Sequence, residues 1–216
     1  MTDVAKLGGG FADAKPDAEP TVKALLSVAR PGSPTARLVI LGGPPGVGKT
    51  AVAQTLLTLL PNTFALDKDQ TAGGFILAAA ALRRDAPDAA YGADHYWQKL
   101  RPLEYAGPLA VACDNLVGTR QILLVGGFGP ELGVDALWQG IREKIAPADL
   151  RVIHLDPPAL ETWRTRMARR GSRTDTPYFE HLAQALGALP VWPGATRIDT
   201  NAPVHCVAQR TVDAIV

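Results

Sequence analysis

The sequence predicts an α/β fold, in which a mostly parallel sheet of five strands lies between two layers of helices. Three observations support this prediction: short apolar runs rich in β-branched residues, helical segments that alternate with these runs, and a glycine-rich turn after the first run. Continuous apolar runs are typical of strands buried on both faces, and alternation with helices favours parallel pairing. A chain of 216 residues fits one domain of this kind.

The predicted elements follow the order of the chain. Residues 1–20 are rich in Gly, Ala and Asp and predict a flexible tail, so that residues 21–216 form a single domain. Strands are predicted at residues 37–41, 63–66, 121–125, 151–155 and 196–199. Helices are predicted at residues 21–30, 49–60, 74–84, 93–117 (interrupted at Pro102 and Pro108), 135–145, 160–170 and 204–216.

Two segments are predicted to cover the crevice at the ends of the strands. Residues 74–117 form a helical cap, in which Tyr96 and Trp97 either stack on a bound ring, sugar face or base or simply pack between helices. Residues 170–178 form a lid after an arginine-rich helix, since Gly171 favours the end of that helix. Helical spacing brings its arginines near one side, where they either bind an anion or remain solvated.

Composition and charge narrow the classes of protein. Lys and Arg number 22 and Asp and Glu 21, and this net charge of +1 disfavours a duplex-DNA binder and makes nucleic acid an improbable partner. The only cysteines, Cys113 and Cys206, cannot form a disulfide framework, so a reducing cytoplasm is the simplest interpretation. No apolar run reaches the roughly 18 residues that a membrane span needs, and no leader pattern is visible.

The strongest motif is GPPGVGKT, which matches G-x-x-x-x-G-K-[ST] and stands between a predicted buried strand and a helix. In such a loop, successive backbone N–H groups form a nest for phosphate oxygens, and the following helix N-terminus adds a favourable dipole. The lysine binds β- and γ-phosphates, and the last hydroxyl binds Mg²⁺. The predicted nucleotide-binding residues are Gly43, Pro44, Pro45, Gly46, Val47, Gly48, Lys49 and Thr50.

Two carboxylates, Asp67 and Asp69, follow the second predicted strand in the sequence LDKD. The carboxyl ends of parallel strands border the crevice where ligands bind, so both side chains are expected there. One carboxylate can hold a water on Mg²⁺, and the other can orient or deprotonate a substrate hydroxyl. An ordinary acidic turn is the competing interpretation.

GPPGVGKT followed by LDKD resembles the small P-loop kinases: shikimate kinase, gluconate kinase, chloramphenicol phosphotransferase and the group described as AAA-type predicted kinases. The segments RPLEY, DNL and GGF, and the stretch RMARRGSRTD, match the predicted-kinase group more weakly but in the same order. The resemblance covers roughly residues 37–216. It implies a P-loop NTPase three-layer sandwich of the nucleoside and shikimate kinase type.

The resemblance also implies roles for particular residues. Thr50 and Asp67 would hold Mg²⁺, Asp69 would act on the acceptor hydroxyl, and Arg170 and Arg173 would close over the phosphates as catalytic residues beside Lys49. The residues expected to bind the acceptor are Asp69, Tyr96, Trp97, Arg101 and Phe128. One departure is that the third strand runs into Gly126 without the carboxylate that many P-loop proteins carry there, which leaves more of the metal binding to Asp67.

The function expected from these features is transfer of the γ-phosphoryl group of ATP, with Mg²⁺, to a hydroxyl of a small molecule such as an antibiotic, a nucleoside or a sugar-like metabolite. A nucleotide-binding regulatory ATPase without an acceptor is an alternative from another class. A nucleic-acid 5′-hydroxyl kinase and a kinase of a nucleotide sugar differ from the first only in the acceptor. The helices rich in Ala and Leu are compatible with a homodimer but do not require one.

Overall fold

The computed structural model describes residues 16–85 and 90–216. Most of the predicted tail, residues 1–15, and residues 86–89 of the predicted cap lie outside the described residues. The strands are β1 (Arg37–Gly42), β2 (Thr63–Asp67), β3 (Gln121–Val125), β4 (Asp149–Asp156) and β5 (Thr196–Asp199). The α-helices in the described ranges are α1 (Glu19–Val28), α2 (Lys49–Leu59), α3 (Lys68–Arg83), α4 (Arg101–Asp114), α5 (Asp135–Ile145), α6 (Leu160–Arg169), α7 (Tyr178–Gly187) and α8 (Val204–Ile215).

The five strands form one parallel sheet in the order β2-β3-β1-β4-β5, which confirms the predicted fold class. In the register of the sheet, Leu41 pairs with Val125 on one side and with Ile153 on the other. Asp67 pairs with Val125 at the end of β2. The carboxyl ends of the strands therefore meet at one edge, and the turns that leave this edge build the site.

Two apolar layers hold the helices on the two faces of the sheet, because successive side chains of a strand point to opposite faces. On one face Leu38 and Ile40 of β1 belong to a cluster with α1, α4 and α5. On the other face Val39 and Leu41 pack with α2 and α8. None of the helices in residues 16–85 and 90–216 is long and apolar enough to cross a bilayer.

α1, α2, α6 and α8 differ from their predicted bounds by one or two residues, and α3 and α4 differ by more. α3 begins at Lys68 instead of residue 74, because the Asp67 carboxylate caps it by accepting a hydrogen bond from the Asp69 N–H, 2.9 Å away. α4 continues through both of its prolines. Pro102 lies in the first turn, where no N–H partner is needed, and Pro108 lies inside the helix. α6 ends at Arg169, one residue early.

α7 follows the predicted lid and is absent from the sequence-based elements. Its apolar residues Phe179, Leu182 and Leu186 are buried at helical spacing against α6. That periodicity was available in the sequence as a signal. Within the predicted helical region 93–117, residues Tyr96–Leu100 form a π-helical segment, which leads directly into α4.

Candidate active site

The motif GPPGVGKT forms the turn between β1 and α2. Gly46 and Gly48 have φ angles of 81° and 105°, which residues with a Cβ rarely adopt, so the loop needs glycine there. The Lys49 ammonium donates hydrogen bonds to the carbonyl oxygens of Gly43 and Pro44, both at 2.8 Å. A cation thus lies at the mouth of a loop whose backbone suits phosphate, and these residues fit a nucleotide's phosphate groups.

Burial lowers the pKa of Lys49 from its ordinary value to about 8. The negative charge of Asp69 opposes this shift, while the positive charges of Arg170 and Lys68 add to it. Crowding of like charges at this point is costly for the free protein and is relieved by an anionic ligand. The electrostatics therefore favour the binding of a highly charged anion at the loop.

Two oxygens suited to a hard cation lie beside the loop. The Thr50 hydroxyl, in the first turn of α2, donates to Oδ2 of Asp67, 3.2 Å away, at the end of β2. No cluster of three or more His, Cys, Asp or Glu side chains that could hold a metal occurs among the described residues. A pair of oxygens fits Mg²⁺, which takes few protein ligands and keeps waters and phosphate oxygens in its shell.

Asp69 lies in the first turn of α3 and is bound to its neighbour Lys68, whose ammonium is 2.6 Å from Asp69 Oδ1. The same ammonium donates to Oε1 of Glu104 on α4 at 3.0 Å, and the Glu104 side chain is fully buried. Burial alone would raise the pKa of Asp69, but the charge and hydrogen bond of Lys68, with Lys49 and Arg170, hold it below its usual value. Asp69 is therefore an ionised hydrogen-bond acceptor at neutral pH.

A second buried ion pair, between α4 and the turn after β3, continues this network. The Arg101 guanidinium binds Glu131 with two hydrogen bonds of 2.8 and 2.6 Å. The Tyr96 hydroxyl donates to Oε2 of Glu104 at 2.6 Å and accepts a weaker bond from Arg101 at 3.3 Å. The polar groups from Asp69 to Glu131 thus form one continuous chain of hydrogen bonds.

Helix α6, which precedes the predicted lid, is attached directly to the phosphate loop. Trp163 Nε1 donates to the carbonyl oxygen of Pro45 at 2.7 Å, and Arg166 donates to that of Val47 at 3.3 Å. A Cβ on Gly46 would lie 2.5 Å from Sδ of Met167, so the helix and the loop are in close contact. Of the predicted lid arginines, Arg170 lies near enough to affect the pKa values of Lys49 and Asp69.

One cavity of about 780 Å³ contains most of the predicted site. This volume lies in the range of ordinary ligand sites. The predicted residues that line it are Gly43, Pro44, Pro45, Gly46, Gly48, Lys49, Thr50, Asp67, Asp69, Tyr96, Arg101 and Arg170. Val47 lies in the same loop but is buried behind it.

The structure does not bring three predicted residues to this cavity. Trp97 is 1% exposed and packs with Tyr96 and Ile76. Phe128, also 1% exposed, packs in the core between the rings of Tyr105 and Trp138. The Arg173 side chain is 65% exposed, binds Asp175 through two hydrogen bonds and is not among the residues that line the cavity.

Sequence reasoning missed Lys68, Glu104 and Glu131 as members of the site, and it missed Trp163 as a contact of the loop. A sequence signal for Lys68 existed, since it is the charged residue between two aspartates. Glu104 and Glu131 had no such signal, because only the packing of α4 against α3 and the turn after β3 brings them to their cations.

The fold and the loop define a P-loop α/β protein. No protein-family model matches the chain, and no curated protein sequence matches it. Among solved structures, a gluconokinase from Sinorhizobium meliloti is similar, with a TM-score of 0.54, 13% identity, and coverage of 84% of this chain and 92% of that one. The tunicamycin resistance protein of Deinococcus radiodurans has a TM-score of 0.56 and 19% identity, covering 82% and 94%.

A shikimate kinase from Bacteroides thetaiotaomicron is similar as well, with a TM-score of 0.53, 16% identity and coverage of 82% of this chain and 96% of that one. These likenesses extend over nearly the whole of each neighbour. At such low identity they establish the fold of the small P-loop kinases for this chain, and the acceptor has to be argued from the site itself.

Proposed function

We propose that this protein transfers the γ-phosphoryl group of ATP to a hydroxyl of a small molecule, with Mg²⁺. The observation that carries the proposal is one cavity shared by the phosphate loop, the oxygen pair of Thr50 and Asp67, and the carboxylate of Asp69. Phosphoryl transfer is chiefly positioning and charge stabilisation, and this cavity supplies groups for both. The kinase names of the structural neighbours agree with it.

Each residue has a task in this proposal. Lys49 and the loop N–H groups bind the phosphates, and Arg170 adds positive charge from the lid side, so that charge spread over the transferring group is stabilised. Mg²⁺, held at Thr50 and Asp67, would neutralise phosphate charge when bound. Asp69 accepts a hydrogen bond from the acceptor hydroxyl and so orients its oxygen.

The lowered pKa of Asp69 makes its carboxylate a weak base. A weakly basic carboxylate does not remove the proton from a free alcohol in advance. In a loose transition state the hydroxyl becomes acidic only as the new P–O bond forms, and its proton then passes to Asp69. Orientation of the hydroxyl is therefore the earlier and larger part of its contribution.

The test is acceptor-stimulated release of ADP from Mg·ATP over a panel of hydroxyl compounds, including a 5′-hydroxyl oligonucleotide. Lys49→Ala should abolish the stimulation, and Lys144→Ala, which removes an exposed lysine on α5, should leave it unchanged. Asp69→Asn should retain ATP binding and lose turnover. ATP binding without stimulation by any acceptor would instead favour a regulatory nucleotide-binding protein.

A further inference from the structure

The cavity has an apolar wall that extends from α7 to the side of the Arg101–Glu131 pair, which the proposed function makes the acceptor end. Its residues are Leu132, Leu182, Leu186, Leu189, Pro190 and Val191, which come from the turn after β3, from α7 and from the segment after α7. The Trp192 N–H donates to the Leu132 carbonyl at 2.8 Å, which fastens this segment to the turn that carries Glu131. The wall therefore adjoins the cap, on the side of the Arg101–Glu131 pair.

The cations at this end are already neutralised. Lys68 and Arg101, which line the cavity on the side of α3 and α4, bind buried carboxylates: the pairs are Lys68–Glu104 at 3.0 Å and Arg101–Glu131 at 2.6 Å. Arg197, on β5 at the opposite edge of the sheet from β2, pairs with Asp156 at 3.0 Å. Glu104 and Glu131 have no exposed side-chain surface, so a substrate carboxylate could replace them only by leaving each of them buried without its cation. Among the described lining residues, Lys49 and Arg170 lack a carboxylate bond, and both serve the phosphate end.

One hydrogen-bond donor at this end is unused. The hydroxyl oxygen of Tyr91 is buried and has no hydrogen-bond partner among the described residues, although Tyr91 lines the cavity. Its ring lies edge-on to that of Tyr96, with centroids 4.8 Å apart, and this contact fixes its direction. Burial and the nearby Glu104 raise the pKa of Tyr91 well above its ordinary value. The hydroxyl therefore stays protonated and can donate a hydrogen bond to a ligand oxygen or nitrogen.

We propose that the phosphoryl acceptor is an uncharged molecule with an apolar body, which packs on this wall and accepts a hydrogen bond from Tyr91 through a group other than the reacting hydroxyl. The inference rests on the proposed function and narrows its substrate class. It excludes sugar acids and other hydroxy acids, because the cavity offers their carboxylate no unpaired cation at the acceptor end.

The test uses compounds matched in shape and different in charge. Phenylpropanediol is compared with phenyllactate, sorbitol with gluconate, and chloramphenicol serves as a larger uncharged probe. ADP release from Mg·ATP should rise with uncharged compounds that carry an apolar group and not with either carboxylate. Stimulation by gluconate or phenyllactate, or no stimulation by any uncharged compound while ATP binding is intact, overturns the inference. Turnover of gluconate would contradict this inference but agree with the proposed kinase function. If the wild-type protein does not bind Mg·ATP, the proposed function itself is wrong.

Variants of the wall and of the donor test the assignment within one substrate. Tyr91→Phe should raise the acceptor KM by about fivefold to tenfold, the usual worth of one neutral hydrogen bond, and leave the KM for ATP unchanged. Tyr178→Phe, the matched change at the one tyrosine that does not line the cavity, should alter neither constant. Leu189→Gln, at a half-buried position of the wall, should raise the acceptor KM alone. Equal acceptor KM values in Tyr91→Phe and the wild type contradict the role of the phenol.

Discussion

Removal of Arg101 should reveal how much the buried ion pair between Arg101 and Glu131 contributes to the stability of the fold. Arg101→Met preserves most of the side-chain volume but leaves Glu131, which has no exposed surface, without its two charged hydrogen bonds of 2.8 and 2.6 Å. The guanidinium also lies 4.5 Å from the ring centre of Trp97. We expect the free energy of unfolding to fall by about 3–5 kcal/mol, the usual effect of orphaning a buried charge, out of a total of roughly 5–15.

Urea denaturation followed by circular dichroism measures this loss as a lower midpoint at an unchanged slope. The matched control is Arg173→Met, which breaks an equally bidentate pair whose side chains are 65% and 52% exposed, and its urea midpoint should shift far less, because exposed ion pairs contribute little to stability. The double variant Arg101→Met/Glu131→Gln removes both buried charges and should recover much of the loss. If Arg101→Met costs no more than the exposed control, or the double variant is as unstable as the single one, the reasoning from burial is refuted.

Three further predictions concern the phosphate loop. Because the pKa of Lys49 is about 8, its charge is lost as the pH rises through that value, so ATP affinity should fall above pH 8 in a binding titration, and Lys49→Arg should lack this step. Gly46→Ala forces a side chain into a φ of 81° and should lower stability by about 1–2 kcal/mol in thermal unfolding, whereas Gly74→Ala, in open space on α3, should be neutral or slightly stabilising. Trp163→Phe removes the hydrogen bond to the loop and should weaken ATP binding in calorimetry, without changing the acceptor preference.

Much of the fold was predictable because its signals are local. Apolar runs, prolines and glycines indicated all five strands of the parallel sheet, and the loop motif indicated where a nucleotide's phosphates bind. The start of α3 was missed because a cap, the Asp67 side chain, begins the helix before its apolar periodicity does. α7 follows the predicted lid and was not assigned to any element, although Phe179, Leu182 and Leu186 repeat at helical spacing.

The acceptor side was less predictable because its contacts join residues far apart in the chain. Glu104 and Glu131 gave no local signal, and only the packing of α4 pairs them with Lys68 and Arg101. Phe128 was expected at the acceptor by resemblance, but its ring turns into the core between two other aromatic rings. A sequence pattern identifies a residue's position along an element more readily than the direction of its side chain.

The bonds between α6 and the phosphate loop end on main-chain oxygens, those of Pro45 and Val47. Every residue type has a carbonyl oxygen, so exchanges at these two loop positions can leave the bonds in place. Selection for this attachment therefore acts on Trp163 and Arg166 and leaves no mark on the loop's own variable positions. The two donor positions therefore encode the attachment of α6, while the loop contributes only its backbone.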